Sequence, residues 1–184
     1  LAARMQRRLD ELDKERMISP APPIVTGGAL IIPRGLLSRL LNVPVAHPFG
    51  GTDKKAVELA AMNAVLAIEQ QLGYQPKDVS ADKVGYDIES AIPPQLRTGE
   101  NTLRFIEVKG RTKGATTVTV SKNEILTGLN KPEEFILAVV EVDGPTTHTV
   151  YLKHPFRNAP DFTATSVNFD LMDLIRSAEI VFQK

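Results

Sequence analysis

The residues best suited to chemistry lie in two short stretches, 84–90 (VGYDIES) and 103–110 (LRFIEVKG), each typical of a strand. Successive side chains of a strand point to opposite faces. Glu107 and Lys109 therefore share one face of the second stretch, and the aliphatic residues beside them share the other. A carboxylate and an ammonium group on one face of a central strand are costly to bury unless they pair or take part in function.

Asp87 is the second acidic residue of this arrangement. The linker 90–102 contains proline and glycine, so we expect the first stretch to run back antiparallel and to bring Asp87 beside Glu107. Two carboxylates with room for water are the arrangement that Mg²⁺ prefers, and Mn²⁺ is the alternative. Lys109 would place positive charge beside the metal-bound water or a scissile phosphate.

Composition excludes several other kinds of site. The chain contains no cysteine, only three histidines, and as many acidic as basic residues, 22 of each, so its net charge is zero. Disulfides, thiolate metal sites and a globally basic nucleic-acid surface are thereby excluded. No apolar run approaches the roughly 18 residues of a membrane span, and no signal-peptide pattern opens the chain. We expect a soluble, cytoplasmic protein without a membrane partner.

The elements that must position these residues fall into two predicted segments, 1–50 and 51–184. The first is an extension with a charged helix over 1–17, a strand over 29–32 and a Leu-rich turn over 36–41, and we expect it to connect to missing upstream sequence. The second begins with an apolar helix that runs to about residue 72 and ends at a glycine. Two further helices are predicted over 121–130 and 169–177. Strands are predicted over 77–79, 84–88, 103–109, 116–120, 134–142, 147–153 and 180–182. This order predicts an α/β fold with a central mixed β-sheet flanked by helices and an N-terminal helical extension.

These residues also resemble a known family. Asp87 followed by Glu107-Val108-Lys109 resembles the (P)D…(D/E)-x-K signature of restriction-endonuclease-like nucleases, although Gly85-Tyr86 stand where the signature proline would precede the aspartate. Over about 54–151, the chain resembles the NO VEIN C-terminal-like domain. The stretches that carry this resemblance read GYDIES, RFIEVKGR, VTVSKNEI and EEFILAVVEV.

The resemblance implies a restriction-endonuclease-like core and a metal-dependent nuclease that hydrolyses phosphodiester bonds. It implies Asp87, Glu107 and the Val108 carbonyl as metal ligands, with Lys109 orienting or activating water. A glutamate of the first core helix approaches the metal in many relatives; Glu69 is the candidate, with Glu58 next. The segment 1–50 is similar to the region that follows a Snf2- or DEAD-type helicase core, which implies a helicase partner and a role in DNA processing or phage defence.

A basic segment accompanies the acidic pair. Residues 97–113 contain five basic and two acidic side chains, a local charge of +3. Such a patch suits a polyanionic backbone, with DNA as the expected partner and RNA as the alternative. Lys122 and Asn123 begin a helix whose N-terminus favours phosphate, and the resemblance includes Asn123. The predicted nucleic-acid contacts are Arg104, Arg111, Lys113, Lys122 and Asn123.

Other interpretations stay open. The same fold can serve as a catalytically silent module that binds nucleic acid or protein. Assembly through the first helix and 36–41 is a further alternative, and the oligomeric state is not predicted. Glu89 is either an auxiliary ligand or a surface carboxylate, and Glu124 is assigned to a capping box with Ser121. The histidines His47, His148 and His154 are expected not to be ligands.

Overall fold

The computed structural model describes residues 2–17, 34–41, 54–82, 84–97 and 99–184. The chain divides into two compact units, 1–51 and 52–184. In the first unit, α1 spans Ala2–Arg16 and α2 spans Arg34–Leu41, which confirms the two predicted helical segments. The strand predicted over 29–32 lies outside the described residues, as does His47.

The second unit alternates strands and helices around one main sheet. Its elements are α3 (Lys54–Gln71), β1 (Gln75–Asp78), β2 (Ile88–Ala91), β3 (Leu103–Thr112), β4 (Thr117–Ser121), α4 (Lys122–Asn130), β5 (Phe135–Asp143), β6 (Thr146–Lys153), β7 (Ser166–Asp170), α5 (Leu171–Ser177) and β8 (Glu179–Gln183). None of the described helices is long and apolar enough to cross a bilayer.

The main sheet is mixed, as predicted. Its strand order is β1-β2-β3-β5-β6-β8, in which β3 and β5 are parallel and every other neighbouring pair is antiparallel. Parallel neighbours need a long connection, and β4 with α4 supplies it. β4 leaves the main sheet and pairs with β7 in a separate two-stranded ribbon. The strand β3 is paired with β5 over 105–112 but with β2 only over 103–106, so Glu107 and Lys109 lie beyond the end of the β2 pairing.

Helix α3 covers one face of this sheet. Its residues Val57, Ala61 and Val65 are buried against the aliphatic side chains of β3, β5 and β6. Gly110 permits the close approach, because a Cβ atom there would lie 3.0 Å from both the Ala61 Cβ and the Val57 carbonyl oxygen. The predicted apolar helix is thus confirmed, but it is buried only on the side that faces the sheet, and Leu59 on the other side is 62% exposed.

The opposite face carries a second apolar cluster. Phe105, Leu137 and Leu152 of the sheet pack there with α4, α5 and the β4–β7 ribbon. Ile106 and Val108 belong to the α3 side. The alternation predicted for β3 is therefore confirmed, and it separates the polar residues of the strand into two environments.

Two strand predictions differ from the structure. The stretch 84–88 is not a strand; β2 begins only at Ile88. Gly85 has φ +92°, which extended L-residues do not adopt, and it is buried where a Cβ atom would overlap Thr127 Oγ1 of α4. β7 was not predicted, because its pairing with β4 joins segments about 45 residues apart.

Candidate active site

Asp87 is fixed by backbone contacts just before β2. Its N–H group donates to the Ile106 carbonyl of β3 (3.0 Å), and its carbonyl accepts from the Val79 N–H group (2.8 Å). Its side chain reaches across to β3, where the Val108 N–H group donates to Oδ2 (2.9 Å). The antiparallel pairing of β2 and β3, with Ile88 opposite Ile106, confirms that Asp87 and Glu107 stand side by side.

Lys109 joins two carboxylates from different elements. Its Nζ lies 2.7 Å from Glu107 Oε1 and 2.7 Å from Glu124 Oε2. Glu107 belongs to the same strand, whereas Glu124 comes from the first turn of α4. Asp87, Glu107, Lys109 and Glu124 form what we call the lysine cluster: three carboxylates around one ammonium group, largely withdrawn from solvent.

Burial and mutual repulsion shift the charges of this cluster. Burial, followed by the neighbouring carboxylates, raises the pKa of Glu107 to about 8 against the lowering effect of Lys109. Burial also raises the pKa of Asp87, more than its bond from the Val108 N–H group lowers it. Burial favours neutral Lys109, but its carboxylate partners outweigh it and the net pKa is raised. Burial raises the pKa of Glu124, but the hydrogen bond with Lys109 opposes it and the net pKa is lowered.

The donor chemistry of the lysine cluster fits a hard divalent cation at Asp87 and Glu107. Glu107 is buried and Asp87 is half-buried, their ionised forms repel each other, and a cation between them would relieve that repulsion. The Val108 carbonyl points to the same edge of β3 as its N–H group, since the backbone groups of one strand residue lie on one side. Among the described residues, no three His, Cys, Asp or Glu side chains already stand together as a metal cage.

Glu69 is not part of the lysine cluster. We expected it to approach the metal ligands, but α3 packs on the face of the sheet opposite Glu107, and Glu69 points into that face. Its carboxylate is fully buried there, with Oε1 3.4 Å from Arg104 Nη2. Glu58, the other candidate, is exposed and lies 3.6 Å from Lys54. Helix α3, which was expected to contribute a glutamate to the metal site, instead covers the opposite face of the sheet.

Arg104 is held on that reverse side as well. Its guanidinium group stacks on the Tyr74 ring at 4.4 Å, and its side chain is only 14% exposed. Ser90 and Tyr151 are fully buried near the Glu69 carboxylate, although neither hydroxyl group forms a hydrogen bond with it. We call Glu69, Ser90, Arg104 and Tyr151 the arginine cluster. Burial raises the pKa of Glu69 more than Arg104 and the two hydroxyl groups lower it.

The other predicted nucleic-acid contacts are scattered. Arg111 donates to the carbonyls of Thr117 (3.1 Å) and Gly110 (2.9 Å), and burial lowers its pKa. Lys113 is exposed and forms an ion pair of 2.7 Å with Asp143. These side chains contact protein groups of their own, so the basic segment of the sequence does not form one continuous patch around the lysine cluster.

Lys122 and Asn123 begin α4 as predicted. Lys122 Nζ donates to the Phe162 carbonyl (2.6 Å), which directs it toward the loop before β7. Asn123 is exposed, and its Nδ2 lies 3.1 Å from the place of a Cβ atom on Gly85, two residues before Asp87. Of the five predicted nucleic-acid contacts, Asn123 is thus brought next to the segment that carries Asp87.

Glu124 is the member of the cluster that sequence reasoning missed as a site residue. The predicted capping box is confirmed: the Ser121 N–H group donates to Glu124 Oε2 (2.9 Å), and the Glu124 N–H group donates to Ser121 Oγ (3.3 Å). The contact with Lys109 is additional. No pattern in the neighbouring sequence predicts the contact with Lys109, because this contact depends on how α4 crosses the sheet between β3 and β5.

The remaining polar candidates lie away from the cluster's ammonium group. Glu89 accepts a hydrogen bond from the Tyr86 hydroxyl (3.3 Å), while the Tyr86 ring packs on Phe105. His148 is exposed. His154 contacts Glu133 at 3.3 Å, beyond the end of β6.

Comparison with known proteins identifies the family. Neither the curated proteins nor the solved structures contain a match to the chain. The family model described as "Protein NO VEIN, C-terminal" matches residues 57–152. The matched region includes both clusters and the strands that position them. Because it covers more than half of the 184 residues, the chain belongs to the NO VEIN C-terminal family.

Proposed function

We propose that residues 52–184 are a metal-dependent nuclease domain of the restriction-endonuclease-like type that hydrolyses phosphodiester bonds in nucleic acid. The observation that carries this proposal is the lysine cluster. Asp87 and Glu107, brought together on one face by adjacent strands, have Lys109 beside them. Two hard oxygen ligands with an adjacent cationic side chain suit the hydrolysis of a phosphodiester.

Each residue has a distinct task in this mechanism. Asp87 and Glu107 would hold Mg²⁺ or Mn²⁺, together with the Val108 carbonyl. The bound ion would supply Lewis acidity and a lowered pKa for a bound water. Lys109 would orient the attacking water and stabilise the negative charge that develops on the phosphate oxygens. Asn123, at the exposed start of α4, would contact the nucleic-acid backbone.

The partner and the setting belong to the same proposal. DNA is the proposed substrate and RNA the alternative. The resemblance of 1–50 to the segment after a helicase core supports a helicase partner and a cytoplasmic role in DNA processing or phage defence. Neutral overall charge fits a domain that receives its nucleic acid from such a partner rather than capturing it by long-range attraction.

The first test compares metal binding and cleavage in matched proteins. Mn²⁺ and Mg²⁺ binding would be measured by calorimetry on wild type, Asp87→Asn and Glu107→Gln, with Glu100→Gln as an exposed control. The same proteins would be incubated with plasmid DNA and with RNA. We expect both cluster variants to lose metal binding and to reduce cleavage by at least about 100-fold, because each removes a ligand charge. The control should behave as wild type.

Two outcomes would contradict the proposal. Wild-type protein that binds neither ion at millimolar concentration would exclude a metal site at Asp87 and Glu107. Cleavage that survives in both cluster variants would place the activity elsewhere or in a contaminant.

One observation favours a second candidate, a catalytically silent module that binds nucleic acid or protein. Lys109 already forms ion pairs with Glu107 and Glu124, so its ammonium group compensates part of the cluster's negative charge without a bound cation. In that case nucleic-acid retention would be unchanged by Asp87→Asn and Glu107→Gln, and no metal would bind.

A further inference from the structure

Lys109 is held by two carboxylates that differ in their expected roles. Glu107 is a proposed metal ligand, whereas Glu124 has been described so far only as the capping residue of α4. The two contacts are equally short, 2.7 Å each. Lys109 therefore bridges the strand that carries the metal ligands and the helix that lies across that face of the sheet.

The cap fixes where the Glu124 carboxylate stands. Its Oε2 accepts from the Ser121 N–H group and from Lys109 Nζ at the same time. The side chain is 18% exposed, so solvent competes little for the bond. A charge-assisted bond between a largely buried carboxylate and ammonium is stronger than a neutral one. The capping box thus presents a pre-oriented carboxylate to Lys109.

A cation bound by Glu107 would change the electrostatic interactions that hold Lys109. It would neutralise the charge of Glu107 and repel the ammonium group, because like charges a few ångströms apart repel strongly in a buried site. Lys109 would then leave the site unless another carboxylate retained it. Glu124 stands where it can retain it.

We propose that Glu124 is a positioning residue, whose carboxylate holds the Lys109 ammonium group beside the Asp87–Glu107 pair when Glu107 engages a cation. This inference rests on the proposed nuclease function. It assigns the Glu124 carboxylate a role beyond capping α4.

Two substitutions separate the positioning role from the capping role. Glu124→Gln keeps an oxygen that accepts from the Ser121 N–H group but removes the charge that holds Lys109. Ser121→Ala removes the hydroxyl acceptor of the cap but leaves the Glu124 carboxylate facing Lys109. If Glu124 served only to cap α4, Ser121→Ala would be the more harmful change, since it removes the N-cap side chain.

The experiment uses the full chain, without metal and then with saturating Mg²⁺. The Nζ resonance of Lys109 would be recorded by ¹⁵N NMR and assigned by its absence from Lys109→Met; hydrogen bonds to carboxylates slow ammonium exchange enough to reveal it. Without metal, Glu107 still holds Lys109 in every variant. With Mg²⁺, we expect the resonance in wild type and Ser121→Ala, and its loss in Glu124→Gln. With Mg²⁺ and plasmid DNA, Glu124→Gln should lower kcat about 10- to 100-fold with KM nearly unchanged, the range typical of residues that orient a metal site's ligands. Ser121→Ala should keep the wild-type kcat.

The contrary results are equally specific. With Mg²⁺ bound, an unchanged Lys109 resonance in Glu124→Gln, or an equal loss of kcat in Ser121→Ala at the same folded fraction, would overturn the positioning role. A wild-type protein that neither binds Mn²⁺ nor cuts nucleic acid would overturn the proposed nuclease instead. In that case the Lys109 resonance would not respond to Mg²⁺ in any variant, which distinguishes this outcome from failure of the positioning role alone.

Discussion

At the scale of single residues, the candidate site depends on charges that are partly removed from water. Glu107 is buried beside two other carboxylates, and the one ammonium group among them compensates its charge only in part. Its protonated form is therefore favoured in the native protein well above the pH at which an exposed glutamate ionises. A bound cation would reverse this preference, which makes Glu107 the residue whose protonation most directly reports on the site.

The stability of the metal-free protein should depend on Glu107 in a defined pH window. The pKa of Glu107 is about 8 in the native state and near 4.5, the ordinary value for glutamate, in the unfolded chain, so between these values the native state holds a proton that the unfolded state lacks. Rising pH across this window therefore lowers the free energy of unfolding. We expect Glu107→Gln to remove this dependence. Its melting temperature relative to wild type should rise from pH 4.5 to pH 8 and level off above.

Thermal unfolding followed by circular dichroism over pH 4–9 would measure the effect, in a buffer containing a chelator. Glu100→Gln, at an exposed position, is the matched control, and its offset from wild type should not change with pH. Parallel curves for wild type and Glu107→Gln would contradict the assigned pKa.

At the scale of elements, the alternating side chains of β3 separate the two polar clusters. The odd-numbered Glu107 and Lys109 face α4, and the even-numbered Arg104 faces α3. Helix α3 brings Glu69 to the same place, so a buried ion pair joins this helix to the sheet. Such a pair contributes little net stability when intact, but it is costly to break on one side.

Removing Arg104 should therefore destabilise the protein without touching the candidate site. Arg104→Met leaves the fully buried Glu69 carboxylate without its cation, and we expect a loss of about 3–5 kcal/mol in the free energy of unfolding. The double variant Glu69→Leu with Arg104→Met should recover most of that loss, because no buried charge remains. Urea denaturation would measure both values. A loss below about 1 kcal/mol in the single variant would show that Glu69 does not depend on Arg104.

At the scale of the whole molecule, the cores that support the site lie entirely in the second unit. Both apolar clusters are built from α3 and the elements after it. The parallel pairing of β3 and β5 requires the chain to cross the sheet through β4 and α4, and this crossing delivers Glu124 to Lys109. The geometry of the site is thus a consequence of topology rather than of any one loop.

The second unit should fold without the first. We expect a protein of residues 52–184 to melt cooperatively, with a melting temperature shifted by less than about 4 °C, which is the effect of roughly 1 kcal/mol at this size. It should also keep the metal affinity of the full chain. Calorimetry and size-exclusion chromatography of both proteins would check stability, binding and oligomeric state together. Loss of the cooperative transition would show that the first unit is needed for folding.

What the sequence by itself determined is local and periodic. The two-residue period of β3 placed Glu107 and Lys109 on one face, the Ser121–Glu124 spacing predicted the capping box, and the apolar run after residue 54 predicted a buried helix. Each of these depends on neighbours a few residues away, so the pattern alone carries the information.

Only the tertiary structure decided which of these elements meet. Glu69 and Arg104 each had suitable chemistry for the site, yet the face that α3 covers pairs them with each other. Glu124 and Lys109 are fifteen positions apart, and they meet because a parallel crossover returns the chain over that face. The periodicity of side chains determines which residues of one element share a face. The packing of the elements determines which of these faces meet at a site.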